Sequence, residues 1–347
     1  MFHILKEVKV KMFKKILFIL LAMLLITSTA SASSGGEVWK PTKPITIIVP
    51  WGAGGSTDQI TRILAGELEG KLGQKIVIVN QPGGSGSVGT KTALDAKRDG
   101  YTWTAGMIGD LGTYAIKGFL DTKTEDWHLY FGVANVDVVS VHPDTPYKDF
   151  GDLLEAFKAK PGEIAVATAG ETSCGHVGME SIKKYTGIEY KHVTYEGGNP
   201  AVIACVRGEA EVVPQLACEE VDMIRAKKLR PLAVLDNKPL EIKDYGTIPP
   251  ITKWIPEFTP ASLYFGIFVP KGVPEEVVTT LNNLWEEVIK NSEAVKKYAS
   301  DSGAVFTPYW GTEALVKAFP LIQNNAWLYY DAGKAEISPM EIGVPRP

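Results

Sequence analysis

Cysteine is scarce in this chain, with three in 347 residues, at Cys174, Cys205 and Cys218, and no C-x-x-C pair among them. A fold that depends on several disulfides is thereby excluded. One bridge is permitted, with three pairings open and one thiol left over, and burial of all three thiols stands beside them as an alternative. Histidine is scarce too, and His128, His142, His176 and His192 show no metal-ligand spacing. Cys174-x-His176 alone supplies too few donors, so no metal and no cofactor is expected. Positive charge is not in excess, with 36 Lys and Arg against 40 Asp and Glu for a net charge of −4. An acidic balance of this kind argues against nucleic acid or anionic lipid as partner. No Lys-Ser or Lys-Thr follows the glycines between the first strand and the first helix, so no Walker-type triphosphate site is implied there.

The longest feature of the N-terminus is the apolar run Ile16 to Ile26, preceded by Lys14 and Lys15 and followed by small residues up to Ala30-Ser31-Ala32. The run is roughly half of the ~20 residues a membrane span needs. With an A-x-A site directly after it, this order is expected to be a secretory signal peptide over residues 1–32, and translation can begin at Met1 or Met12. An uncleaved anchor is the alternative. Removing residues 1–32 takes away five lysines and one glutamate, which moves the formal charge from −4 to −8. The remainder is too long for one ordinary core and fits two domains.

Beyond the leader the chain alternates. Ile45 to Val49 is a β-branched run suited to a strand covered on both faces, and Ile60, Ile63, Leu64 and Leu68 recur at helical spacing up to Gly70 and Gly73. A strand at 75–79, a short helix at 88–96, and strands and helices alternating from 136 to 235 keep that rhythm, which predicts an α/β fold. Pro249, Pro250, Pro256 and Pro260 punctuate a stretch where the chain changes lobe before a strand at 262–269 and a long helix at 275–290.

Between the first strand and first helix lies Gly52-Ala53-Gly54-Gly55-Ser56-Thr57. Glycines there let the backbone approach closely, and free amides at a helix start suit an anion. An ordinary βα turn with a capping residue is the alternative. The second loop, Gly84-x-Gly86-x-x-Gly89 with Asp110 about twenty residues on, formally matches a dinucleotide fingerprint. It is not the first βα turn, and an exported protein has little access to nicotinamide cofactors, so it is read as a structural turn. Ser173, Cys174 and His176 raise the question of a nucleophile, but Glu171 stands where the first glycine of a G-x-S-x-G elbow belongs. Their spacing at a helix start suits capping and ligand contact, and an exported serine hydrolase using Ser173 and His176 is kept as the alternative function.

These stretches, taken in order over nearly the whole chain after the leader, resemble the substrate-binding proteins of the tripartite tricarboxylate transporter (Bug-type) family. The matching segments include Lys43-Pro44-Ile45-Thr46-Ile47-Ile48-Val49-Pro50-Trp51, Gly54-Gly55-Ser56-Thr57-Asp58, Asn80-Gln81-Pro82-Gly83, Asp99-Gly100-Tyr101-Thr102, Ala169-Gly170 with His176, Lys228 to Val234, and Phe265 to Pro270. The resemblance implies a type II periplasmic-binding fold, two α/β lobes with a ligand cleft between them in the manner of a Venus flytrap. Lobe 1 would take residues 44–139 and 263–347, and lobe 2 residues 140–262. It implies a monomer in the periplasm that is not an enzyme. Such a protein binds a small organic carboxylate and meets the membrane subunits of a tripartite tricarboxylate-type transporter.

Carried over by position, the resemblance implies that Trp51, Gly52, Ala53, Gly54, Gly55, Ser56, Thr57 and Asp58 form the first-lobe half of the site, with Asp58 orienting the loop. From the second lobe it implies Thr172, Ser173, His176, Tyr195, Glu196, Gly197 and Gln215. Glu196 stands where the family usually has lysine, and Pro214-Gln215-Leu216 stands where it often has Phe-Asp-Asn. Without that aspartate an unaminated carboxylate is the expected ligand, unless Glu196 supplies a replacement charge. Cys174 and Cys218 lie at motif positions that approach one another, and a disulfide there or two separately buried thiols would both agree with the resemblance.

Overall fold

The computed structural model describes residues 38–347. The signal-peptide expectation for residues 1–32 lies outside them. The first sheet is built from β1 (Ile45–Val49), β2 (Ile76–Asn80), β3 (Thr102–Met107), β4 (Trp127–Asn135), β12 (Leu263–Pro270) and β13 (Val305–Phe306), in the order β13-β4-β12-β3-β1-β2. β2, β1 and β3 run parallel, and β12 is antiparallel to both β3 and β4. The second sheet holds β5 (Asp137–Val141), β6 (Ala165–Thr168), β7 (Lys191–Thr194), β8 (Val212–Leu216) and β9 (Arg230–Val234), in the order β7-β6-β8-β5-β9. A hairpin of β10 (Leu240–Ile242) and β11 (Gly246–Ile248) stands apart.

Helices cover both sheets: α1 (Ser56–Leu72), α2 (Ser87–Leu94), α3 (Ile108–Thr113), α4 (Phe150–Ala159), α5 (Cys174–Thr186), α6 (Gly198–Val206), α7 (Ala217–Arg225), α8 (Glu275–Glu287), α9 (Glu293–Ser302) and α10 (Gly311–Asp331). In α1 the buried Ile60, Leu64, Leu68 and Leu72 follow one another at four-residue spacing, which lays a single apolar stripe on the sheet. The helix stops at Gly73, whose positive φ of 67° lets its amide return to Glu69 O. Strands such as β12 are buried at every position and sheathed on both faces, as their unbroken apolar runs require. Among the described residues no helix is long and apolar enough to cross a membrane.

The two-lobed α/β architecture expected from the sequence is the one observed. The expected lobe boundary between 139 and 140 needs correction, because it falls inside β5. That strand pairs along its whole length with β8 and over most of it with β9, so we place the crossing at Val136. The return crossing comes after Pro260, just before β12. The sequence reading assigns no elements between Tyr101 and Asn135 and none after 290. The structure fills them with β3, α3 and β4, and with α9, β13 and α10. Pro320 inside α10 hides that helix from a propensity argument, yet a 21-residue helix with a continuous buried face tolerates it. Cys174, Cys205 and Cys218 are all free and buried, so the bridge left open above is not made. Burial raises all three thiols above their ordinary range.

Candidate functional site

The loop after β1 enters α1 with Gly55 at the cap position, so no capping side chain of the loop itself bonds the first-turn amides. Those amides therefore face the space beyond the strand ends, where the helix dipole favours negative charge. Asp58 is spent on the loop itself: it accepts from the Gly54 amide (3.0 Å) and Asn80 Nδ2 (3.0 Å) and pairs with Arg62 (2.8 Å). Burial works to raise its pKa, but these partners outweigh burial and hold it below the usual range. Trp51 donates from Nε1 to Asp110 Oδ2 on α3 at 3.3 Å, which pins the indole beneath the loop.

The second lobe meets this loop directly. The Gly52 amide donates to Glu196 O at 3.0 Å, and a Cβ at position 52 would stand 2.7 Å from that oxygen, so glycine alone permits the approach. On α7, Glu220 turns inward, bonded to the Ser140 hydroxyl and the Gln215 amide, while Glu219 reaches across the cleft. Its Oε1 accepts from the Ser56 amide at 2.8 Å. With the Gln215 amide oriented to satisfy both neighbours, its nitrogen donates to Glu219 Oε2 at 3.1 Å and its oxygen accepts from the Ala169 amide at 3.1 Å. A Cβ at Gly198 would lie 2.0 Å from Glu219 Oε2, so the first residue of α6 is glycine because the carboxylate occupies that volume. Glu219 keeps some solvent contact as a residue, yet its carboxylate is enclosed, and desolvation pushes it up to about 7. Burial likewise holds Asp110, Asp137 and Glu220 well above the usual carboxylate range.

Between the lobes these groups line a cavity of about 30 Å³, room for about two waters. Of the residues expected to hold a ligand, Trp51, Gly55, Ser56, Thr57, Ser173 and Gln215 line it. Gly52, Glu196 and Gly197 meet at its rim instead, and Ala53 and Gly54 belong to the same loop outside the lining. Thr172 donates to Ser85 O at 3.0 Å, a contact between lobes. Tyr195 is half-buried away from the cavity, with its amide bonded to Thr168 O. Asp110, Gly198 and Glu219 line the cavity although the sequence reading did not place them there. The one available signal for Glu219 is an adjacent acidic pair set between the apolar Leu216-Ala217-Cys218 and Val221.

His176 does not reach the cavity. It stacks on His192 with ring centroids 4.1 Å apart, and its Nδ1 lies 2.8 Å from Glu171 O. Glu171, His176 and His192 bring potential metal-ligand atoms within 4.8 Å of one another, a grouping that spacing along the chain did not reveal. It arises because β6 and β7 pair in parallel and set His192 beside the start of α5. Glu171, with Glu180 on α5, also latches the two lobes together. Lys117 of the first lobe pairs with Glu171 at 3.0 Å, Tyr329 donates to Glu171 O at 2.5 Å, and Lys334 pairs with Glu180 at 2.9 Å. His192, with His176 and Lys117, holds Glu171 well below the usual carboxylate range against the opposing effect of burial. For Glu180 burial raises the pKa, but His176, Lys334 and Tyr190 outweigh it and hold the group at about 2. Ser173 caps α5, accepting from the His176 amide at 3.4 Å and donating to Gly170 O at 2.7 Å. With its hydroxyl proton on that carbonyl and the His176 ring turned to Glu171 and Glu180, the serine has no base beside it among the described residues, which removes the geometric support for the hydrolase alternative.

The family model of the tripartite tricarboxylate transporter family receptor matches residues 60–313. Protein BugT of Bordetella pertussis is 28% identical over 292 residues, which is 83% of this chain and 88% of that protein. A solved periplasmic transporter superposes with a TM-score of 0.75 at 28% identity, covering 86% of this chain and 99% of its own. The R. palustris protein Rpa4515, solved with adipate, superposes with a TM-score of 0.73 at 25% identity over the same shares. With a match over most of its length and the two-lobed fold in common, the chain belongs to the tripartite tricarboxylate transporter receptor family.

Proposed function

We propose that this protein is an exported, periplasmic solute-binding protein, not an enzyme. It captures a small organic carboxylate in the interlobe cleft and delivers it to the membrane subunits of a tripartite tricarboxylate-type transporter. The observation that carries this reading is the Ser56 amide at the start of α1, which already holds a carboxylate oxygen at 2.8 Å, that of Glu219. The N-terminal turn of a 17-residue helix thus faces the cleft as an anion site. The adipate of the R. palustris relative is consistent with an acid of this size.

A cavity of about 30 Å³ is smaller than any such acid, so the lobes must part for a ligand to enter. Gly52 N to Glu196 O, Thr172 to Ser85 O, and the Lys117–Glu171 pair are the contacts that opening breaks and closure restores. The closed form is then the one a membrane partner recognises. Thermal unfolding against a panel of small mono-, di- and tricarboxylates, amino acids and aromatic acids tests the reading. We expect a concentration-dependent rise in midpoint with one acid, a change in Trp51 fluorescence, and no consumption of the acid on prolonged incubation. No shift with any acid, or turnover that Ser173→Ala abolishes, would refute it.

A further inference from the structure

We propose that Asp110 and Glu219 form a subsite for an ammonium group, so that the ligand of the cleft is an α-amino acid and not an unsubstituted carboxylate. The inference rests on the reading of the cleft as the ligand site. It reverses the expectation drawn from Gln215, whose position lacks an acidic group, because the acidic groups come instead from α3 and α7.

Three observations carry it. Among the described residues the cavity lining contains two carboxyl groups, Asp110 and Glu219, and no Lys, Arg or His. An unsubstituted diacid would bring two negative ends to a wall that offers no cation. Asp110 is only 4% exposed, and while its Oδ2 accepts from Trp51, its Oδ1 has no hydrogen-bond partner among the described residues. A buried carboxyl oxygen left unpaired in the wall of a binding cavity calls for a donor, and an ammonium has three. Finally, Glu219 sits at the start of α1 in a space that Gly198 leaves open for it, next to the amides proposed for the ligand carboxylate. An α-amino acid carries its ammonium and carboxylate on one carbon, which matches a carboxylate and a set of amides side by side. Asp137, with Oδ1 also unpartnered, adds a further acidic group behind the wall. Desolvation holds Asp110 and Glu219 toward their protonated forms, and an ammonium would replace those protons.

The test is calorimetric titration with matched pairs differing only in the α-amino group: succinate and aspartate, glutarate and glutamate, adipate and 2-aminoadipate, propanoate and alanine. Wild type, Glu219→Gln and Asp110→Asn are compared, with far-UV circular dichroism to verify folding. We expect at least one amino member to bind tenfold or more tighter than its parent, and that ratio to collapse in Glu219→Gln. Asp110→Asn should reduce it in the same direction, and if that variant does not fold, Glu219→Gln decides alone. A parent acid that binds as tightly as its amino counterpart overturns the ammonium subsite and leaves the carboxylate receptor standing. A ratio unchanged in Glu219→Gln overturns the part given to Glu219, and binding by neither member of any pair overturns both readings.

Discussion

Replacing Glu219 by glutamine isolates the cost of enclosing its carboxylate. Its pKa is raised by desolvation to about 7, against an ordinary 4.5. A carboxyl whose pKa is raised in the folded state is favoured there when protonated. It therefore costs nothing below about pH 4.5, and stability falls as the pH rises from 4.5 to 7, above which the loss is constant. At 1.36 kcal/mol per unit, a shift of about 2.5 units corresponds to at most about 3 kcal/mol. Some solvent contact of the residue makes this an upper value. Glutamine keeps the shape and can still accept from the Ser56 amide, so the variant lacks the slope without losing that bond.

The titratable groups that feel the charge of Glu219 are Asp137 on β5, Glu220 beside it, Cys174, Cys218 and Tyr298. All are present in both proteins, so the difference between the two pH profiles reports Glu219 together with its coupling to Asp137 and Glu220. Urea unfolding from pH 4 to 8 should give Glu219→Gln a stability advantage that grows between pH 4.5 and 7 to about 2–3 kcal/mol and then stops. Parallel profiles across that range would refute the argument that the carboxylate is enclosed.

Gly175→Ala should be among the most damaging single changes. A Cβ there would lie 1.8 Å from the Pro214 carbonyl oxygen, a backbone atom of β8 that cannot move aside, and a loss of about 3 kcal/mol or more is expected in urea unfolding. Lys117→Met tests the latch. Its nitrogen is buried beside a partly exposed Glu171, so removing the cation should cost about 1–2 kcal/mol, mostly of closure, seen as greater small-angle scattering radius with the secondary structure unchanged.

The fold was legible because its elements are local. Ile45 to Val49 announces a strand by its β-branched run, and the glycine loop after it announces a helix start, since both depend on neighbours a few residues away. Long-range pairing left no such trace. His192 reaches Glu171 only because β7 lies parallel to β6, and Tyr329 reaches the same residue from a helix whose Pro320 argues against a helix at all.

The cleft shows the same division at the level of single residues. Ser56 and Thr57 were recognisable because amides at a helix start carry their function in the backbone, whatever the side chains nearby. Asp110 stood out in the sequence only as the acidic residue expected after a dinucleotide fingerprint, at a distance that would place it on a ribose. Nothing local distinguishes that role from the one it has, in which β3 and α3 deliver it beneath Trp51. Glu219 is harder still, since an acidic residue in the first turn of a helix ordinarily complements the dipole of its own helix. Its carboxylate instead completes the first turn of α1 in the opposite lobe, held there by Gly198 and Gln215 from two further segments. A side chain that caps a helix across a hinge is visible only when the two lobes are seen closed. The contact it makes is also one that opening must break, which ties the charge of Glu219 to the closure on which capture depends.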